Sequence, residues 1–85
     1  MKINFVITTE EYEKNTKHIK DKETKDRIKK QIKRIIEDPD TGKPLRHDLK
    51  GERTVHIKPF RLVYTYENDK LILLRFEHRK EVYKK

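Results

Sequence analysis

The sequence contains no cysteine and no serine, and it has only two glycines and three prolines among 85 residues. The lack of cysteine excludes a disulfide framework and a thiolate zinc site. Without a serine or cysteine nucleophile and without a glycine-rich phosphate loop, acyl-transfer and ATP-driven chemistries are also excluded. We expect no metal and no cofactor, so any chemistry must come from charged, imidazole and aromatic side chains.

Long hydrophobic runs are also missing. No stretch approaches the roughly 20 apolar residues that a membrane-spanning helix needs. The N-terminal residues 1–5 lack the longer apolar run of a signal peptide. We therefore expect a cytoplasmic protein without a membrane partner.

What the chain has in excess is positive charge. There are 23 Lys and Arg against 15 Asp and Glu, a formal net charge of +8 with histidines neutral. Clustered cations bind phosphate backbones by releasing counterions, so this balance favours a nucleic acid as partner. An acidic protein or an anionic membrane would satisfy the same charge. Although 45% of residues are charged, the periodic apolar residues indicate a folded chain rather than a disordered one.

The N-terminal third predicts a strand and then a short helix. Residues 2–7 alternate as a strand does, with three apolar side chains on one face, namely Ile3, Phe5 and Ile7. Thr8 is the predicted N-cap of the first helix, because Glu11 follows at capping-box spacing. This helix is predicted to end near Lys20.

A second helix follows, and it is strongly amphipathic. Asp21 is its predicted N-cap, and Pro39 ends it because the residue before a proline leaves helical geometry. Four isoleucines recur at helical spacing and predict a single buried face: Ile28, Ile32, Ile35 and Ile36. Residues 38–52 contain most of the Gly and Pro and are predicted to form a loop.

Three strands are predicted in the rest of the chain, over residues 53–58, 60–66 and 71–77. Asn68 and Asp69 supply a tight hairpin turn between the last two. The element order is therefore β-α-α-β-β-β. We predict an α+β fold in a single domain spanning residues 1–85, with a helical hairpin on one face of a small, mainly antiparallel, twisted sheet.

A helical hairpin covers only one face of a sheet, so the other face is the predicted site. Alternation directs four apolar residues toward the helices: Val55, Ile57, Leu62 and Tyr64. The residues between them, His56, Lys58 and Arg61, then point away from the helices. Six candidates are predicted to converge on this uncovered face: His56, Lys58, Arg61, His78, Arg79 and Tyr83.

Each candidate also has a simpler structural interpretation. A lone strand histidine such as His56 is more often only solvated, Arg61 could pair with a glutamate, and Tyr83 could be a packing anchor. As a group, however, these residues suit phosphodiester chemistry on RNA. Cations neutralise charge on the phosphate, His, Tyr or Lys transfer protons, and aromatic rings stack on bases.

Four motifs occur in order along the chain: Gly42-Lys43-Pro44-Leu45, Leu49-Lys50-Gly51, Phe60-Arg61-Leu62-Val63-Tyr64 and His78-Arg79-Lys80-Glu81-Val82-Tyr83. Together they resemble the RelE/ParE superfamily of toxins from toxin–antitoxin systems, over essentially the whole chain. The chain departs from the RelE pattern at Glu77 and His56, where relatives can have basic residues.

The resemblance implies a function. Toxins of the RelE branch are ribosome-dependent endoribonucleases that cut mRNA by 2′-hydroxyl attack without a metal and are neutralised by an acidic antitoxin. By position, Arg61 would stabilise the transition-state phosphate, Lys58 and His56 would supply or relay protons, Arg79 would hold phosphate and Tyr83 would stack on the scissile nucleotide. His78 is a further candidate for proton transfer. The predicted RNA-contacting residues are Arg53, Lys80, Lys84 and Lys85.

Two other functions remain open at this point. The same fold serves ParE-like toxins, which inhibit DNA gyrase by protein contact, and fold alone does not decide between the two branches. A non-catalytic RNA-binding module would account for the excess positive charge equally well.

Overall fold

The computed structural model describes residues 2–45 and 51–78, which form two helices and five strands. Their bounds are β1 Phe5–Thr8, α1 Glu10–Thr16, α2 Lys22–Glu37, β2 Lys43–Pro44, β3 Arg53–Ile57, β4 Phe60–Glu67 and β5 Lys70–His78. The predicted order is confirmed, with the short β2 added inside the predicted loop. Among the described residues, no helix is both long and apolar enough to cross a membrane.

The five strands form one sheet in the order β1-β5-β4-β3-β2. The pairs β2–β3, β3–β4 and β4–β5 are antiparallel, whereas β1 runs parallel to β5. The predicted α+β class with a mainly antiparallel sheet is therefore confirmed. The added strand β2 lies at the edge, where Pro44 is tolerated because no ladder hydrogen bond is required of its nitrogen.

Helix α1 begins one residue later and ends earlier than predicted. The N-cap is Thr9, whose hydroxyl accepts a hydrogen bond from the Tyr12 N–H at 3.0 Å. The predicted cap at Thr8 is wrong because Thr8 is the last residue of β1, and its hydroxyl donates to Glu13 instead. The helix stops at Thr16 because the Ile19 N–H bonds to the Thr16 carbonyl and closes a tighter turn.

Helix α2 agrees with its prediction at both ends. The carboxylate of Asp21 accepts a hydrogen bond from the Thr24 N–H at 2.9 Å, and Asp38 is extended immediately before Pro39. Two of its isoleucines, Ile28 and Ile35, are buried. The others, Ile32 and Ile36, pack partly buried against the same core.

The core lies between the two helices and the inner face of the sheet. Its buried side chains are Ile3, Tyr12, Ile28, Ile35, Val55, Ile57, Leu62, Tyr64, Leu71, Leu73 and Phe76. The four residues predicted to point toward the helices are all among them, which confirms the predicted alternation of β3 and β4.

The N-terminal strand differs from its prediction. Ile3 precedes β1 and is buried, whereas Phe5, Val6 and Ile7 are 56%, 46% and 40% exposed. Ile3, Phe5 and Ile7, which were predicted to lie on one face of the strand, therefore differ in burial. The reason is position: β1 is an edge strand paired only with β5 among the described residues. The Nζ of Lys70 lies 5.9 Å from the centroid of the exposed Phe5 ring.

The loop after α2 is fixed to the sheet by Tyr64. The buried Tyr64 hydroxyl donates to the Pro39 carbonyl at 2.7 Å and accepts from the Gly42 N–H at 3.0 Å. A Cβ at Gly42 would lie 2.7 Å from that hydroxyl, so a larger residue would force the loop away. Burial raises the pKa of Tyr64, and the phenol therefore stays a neutral hydrogen-bonding group.

Candidate functional site

The face of the sheet turned away from the helices, which we call the outer face, is formed by alternate residues of β3, β4 and β5. Its central members are Thr54, His56, Arg61, Val63, Arg75 and Glu77. A β-bulge after Val63 leaves Leu74 without a pairing partner in the β4–β5 register. The extra residue lets Leu73 and Phe76 both point into the core while Arg75 remains on the outer face.

Three of the predicted candidates lie together at one end of this face. His56 and Arg61 are direct cross-strand partners on β3 and β4, and their neighbours Val55 and Ile57 are buried on the opposite face. Lys58 is exposed and directly follows β3 in the two-residue connection to β4. The structure therefore brings these three cationic or titratable groups to the same hairpin.

Arg61 belongs to a continuous series of ion pairs, which we call the Arg–Glu chain. Its Nε donates to Oε1 of Glu77 at 3.1 Å, and the Nε of Arg75 donates to Oε2 of the same carboxylate at 3.1 Å. The Nη2 of Arg75 also donates to Glu52 at 2.8 Å. Burial by itself would lower the pKa of Arg75, but the hydrogen bonds and charges of Glu52 and Glu77 outweigh it and raise that pKa.

Three members of the Arg–Glu chain were not identified as site residues from the sequence, namely Glu77, Arg75 and Glu52. Glu77 could have been placed opposite Arg61 by counting back along the hairpin from Asn68 and Asp69. Arg75 could not, because simple alternation through the bulge assigns it to the wrong face. Glu52 precedes β3 in a segment that the sequence predicts to be a loop. Nothing in the neighbouring sequence indicates that its carboxylate contacts Arg75 on β5.

The outer face is less open than predicted. Val63 is fully buried and Thr54 is 8% exposed, although neither belongs to the core beneath the helices. Arg75 lies on β5 and bonds to Glu52 beside β3, so its side chain must pass over the intervening strand β4. The centre of the face is therefore shielded by charged side chains, and accessible cations lie at its His56 end.

His78 does not lie with Arg61, which corrects its predicted position. It is the cross-strand partner of Phe60, and the two rings make an edge-to-face contact at 5.3 Å. Since Glu77 points to the outer face, the next residue points to the inner one. His78 there lines a cavity between α1 and the sheet, together with Lys14, Asn15, His18, Ile19, Phe60 and Phe76.

Arg53, which the sequence predicts to contact RNA, is engaged in structural contacts. Its Nη1 donates to the carbonyls of Gly42 at 2.6 Å and Asp40 at 3.2 Å, and its Nη2 lies 3.4 Å from the Asp40 carboxylate. These contacts hold the loop after α2 against β3. An RNA contact by Arg53 stays a prediction.

The remaining predicted site residues lie outside the described part of the chain. They are Arg79, Lys80, Tyr83, Lys84 and Lys85. Their roles in holding phosphate, stacking on a base or contacting RNA stay predictions.

Comparison with known proteins provides an independent view of this fold. The family model described as "ParE toxin of type II toxin-antitoxin system, parDE" matches residues 6–83. A protein of Methanocaldococcus jannaschii that carries the name toxin RelE4 is 41% identical over 69 residues, covering 78% of this chain and 73% of that relative.

Solved structures of toxins share the fold at low sequence identity. The YoeB/ParE toxin from Agrobacterium tumefaciens superposes with a TM-score of 0.76 at 20% identity, covering 92% of this chain and 98% of that one. A chain of the E. coli DinJ-YafQ toxin-antitoxin complex superposes with a TM-score of 0.73 at 19% sequence identity, covering 98% of this chain and 99% of that one. A chain of the RelB-RelE antitoxin-toxin complex from Methanococcus jannaschii superposes with a TM-score of 0.72 at 18% sequence identity, covering 91% of this chain and 94% of that one. The chain therefore belongs to the RelE/ParE superfamily of toxins from type II toxin–antitoxin systems.

Proposed function

We propose that the protein inhibits translation by cutting mRNA on the ribosome. The observation that carries the proposal is the placement of Arg61 directly opposite His56 on the outer face, with Lys58 in the adjoining connection. This hairpin offers a fixed guanidinium for a phosphate and two side chains that can transfer protons. Those are the groups that cleavage of an RNA phosphodiester needs when no metal takes part.

The chemistry assigned to this hairpin is internal transesterification. The 2′-oxygen of one nucleotide attacks the adjacent phosphorus, its proton passes to a base, and the departing 5′-oxygen receives a proton from an acid. Arg61 stabilises the negative charge that grows on the phosphoryl oxygens. His56 and Lys58 are the described groups available for the two proton transfers, and the products are a 2′,3′-cyclic phosphate and a 5′-hydroxyl end.

The proposed partners follow from the relatives and the charge. Related toxins have been crystallised with DinJ and with RelB. A net charge of +8 suits an acidic antitoxin of the same kind, whose negative segment would cover the cations that otherwise reach RNA. Ribosomes and mRNA as substrates imply a cytoplasmic site of action. We also propose that residues 1–85 act as a single toxin domain.

The test is cleavage of a defined mRNA by the purified protein with and without ribosomes, in a buffer containing a chelator of free transition metals. We expect cuts only when ribosomes are present. Arg61→Ala should lower the cleavage rate roughly 100-fold, the typical effect of removing one donor to a transition-state anion, and should lower ribosome association far less.

Arg27→Ala is the matched control, since it removes the same side chain from α2 on the other side of the molecule. It should cut at nearly the wild-type rate. Equal cleavage by wild type and Arg61→Ala would refute the proposed role of Arg61, and intact mRNA with wild-type protein would refute the nuclease.

A second function is favoured by one observation, the match to a family model described by the name ParE. Inhibition of DNA gyrase by protein contact would leave mRNA intact and reduce supercoiling of plasmid DNA in a gyrase assay. Association with ribosomes without any cleavage would instead indicate a non-catalytic RNA-binding module.

A further inference from the structure

We propose that Arg61 and Arg75 together form a phosphate site that Glu77 occupies in the free protein. In this proposal, an RNA phosphodiester binds by displacing the Glu77 carboxylate from both guanidinium groups. The identity of the ligand rests on the proposed nuclease function. The pairing of the two arginines rests on geometry alone.

The geometry is that of one anion shared by two cations. The Nε of Arg61 and the Nε of Arg75 donate to different oxygens of the Glu77 carboxylate, each at 3.1 Å. Guanidinium groups bind carboxylates and phosphates through the same directed N–H donors. Two non-bridging oxygens of a phosphodiester can therefore accept the same two hydrogen bonds.

The site is accessible enough for exchange. The side chains of Arg61, Arg75 and Glu77 are 20%, 27% and 28% exposed. Water reaches all three groups, so the pairs are screened and each contributes modestly to folding stability. Partial burial nevertheless strengthens hydrogen bonds to a bound anion compared with the same bonds at an open surface.

Glu52 would keep the site assembled when Glu77 leaves. The Arg75 Nη2 bonds to Glu52 at 2.8 Å, through a different nitrogen from the one that contacts Glu77. Arg75 therefore remains over β4 after the exchange, with its Nε free to donate to phosphate. Glu52 is in this view a positioning residue for Arg75.

The charges explain why Glu77 would limit RNA binding. The Arg–Glu chain contains two guanidinium groups and two carboxylates, so it carries no net charge while Glu77 is in place. Replacing Glu77 by glutamine leaves the group with one net positive charge and takes away one of the two oxygens that accept from the Nε groups. Affinity for a phosphate backbone should rise accordingly.

The experiment compares Glu77→Gln with Glu67→Gln in the full chain. Both variants remove one negative charge, but Glu67 is exposed and lies at the opposite end of β4, where it is the cross-strand partner of Lys70 in the sheet. The probe is a fluorescent single-stranded RNA with 2′-O-methyl groups throughout, which blocks cleavage, and the readout is the Kd from anisotropy. We expect Glu77→Gln to bind about tenfold more tightly and Glu67→Gln to stay within about twofold of wild type, since only the former frees charge-assisted donors.

A measurement on the unmodified protein covers the case in which Glu77→Gln does not fold. The Nε–H signals of Arg61 and Arg75, assigned with Arg61→Lys and Arg75→Lys, are followed by ¹⁵N NMR during titration with the same RNA. Both signals should shift together with one saturation curve. A shift of Arg61 alone, or of neither, would overturn the shared site.

These outcomes separate the inference from the proposed function. Equal affinities of Glu77→Gln and Glu67→Gln, in a protein that cuts mRNA on ribosomes, overturn the shared site and leave the nuclease standing. Tighter RNA binding by Glu77→Gln, in a protein that leaves mRNA intact on ribosomes, supports the phosphate site and refutes the proposed nuclease function.

Discussion

At the scale of single residues, Tyr64 makes the most consequential buried polar contact. Its hydroxyl satisfies both the Pro39 carbonyl and the Gly42 N–H, and the residue is fully buried. We expect Tyr64→Phe to lower the free energy of unfolding by about 1–3 kcal/mol, because the buried Gly42 N–H and the partly buried Pro39 carbonyl lose their partner. Urea unfolding followed by circular dichroism measures the loss.

Tyr66→Phe is the matched control for that prediction. The Tyr66 hydroxyl bonds to the Asp40 carboxylate near the surface, where water can replace it. Its removal should cost less than about 1 kcal/mol. A Tyr64→Phe variant no less stable than Tyr66→Phe would show that the loop does not depend on the buried hydroxyl.

Residue positions near the site were predictable only where the chain is regular. His56 and Arg61 face each other across a two-residue connection, so alternation from Val55 and Leu62 places both correctly. The same rule fails for Arg75, since the bulge shifts the alternation by one residue. Arg61 and Glu77 are cross-strand partners on the outer face, so alternation from this pair directs His78 to the inner face, against its predicted position.

At the scale of elements, the N-cap of α2 gives a prediction about pH. Hydrogen bonds from the Thr24 side chain and N–H lower the pKa of Asp21 below its ordinary value of 3.8. A carboxyl whose pKa is lower in the folded state stabilises the fold above its unfolded pKa, and this contribution disappears as pH falls through the folded pKa. Asp21→Ala should therefore lower the unfolding midpoint at neutral pH and differ progressively less from wild type in acid.

Asp26→Ala serves as the control for the cap, because Asp26 is an exposed aspartate within the same helix and not at its end. Its unfolding midpoint should follow that of wild type from neutral pH into acid more closely than the midpoint of Asp21→Ala does. A stability difference between wild type and Asp21→Ala that is as large in acid as at neutral pH would contradict the proposed origin of the cap's stabilisation.

Elements with a strong local signal were predicted well, and those defined by distant pairing were not. The isoleucine spacing and the proline after α2 are local, so that helix agrees with its prediction at both ends. By contrast, the position of β1 depends on its parallel pairing with β5, more than sixty residues away in the sequence. The position of β2 depends on its pairing with only two residues of β3. Thr8 and Thr9 have the same side chain and could each cap α1. Thr9 is the N-cap because Thr8 is still part of β1.

At the scale of the whole molecule, the net charge of +8 makes association with ribosomes sensitive to salt. Each phosphate contact releases condensed counterions, so the logarithm of the association constant should fall linearly with the logarithm of salt concentration. Exposed charges farther apart than about 8 Å are largely screened at physiological ionic strength. The slope therefore reports local contacts more than total charge.

That distinction can be measured with two variants that lower the net charge equally. Arg61→Gln removes a guanidinium from the outer face, and Lys30→Gln removes an ammonium from the solvent side of α2, opposite the buried Ile28. In sedimentation of ribosomes at several salt concentrations, Arg61→Gln should reduce the magnitude of the slope by about one, and Lys30→Gln should leave it unchanged. Identical slopes for the two variants would mean that diffuse attraction, rather than the cations beside His56, brings the protein to RNA.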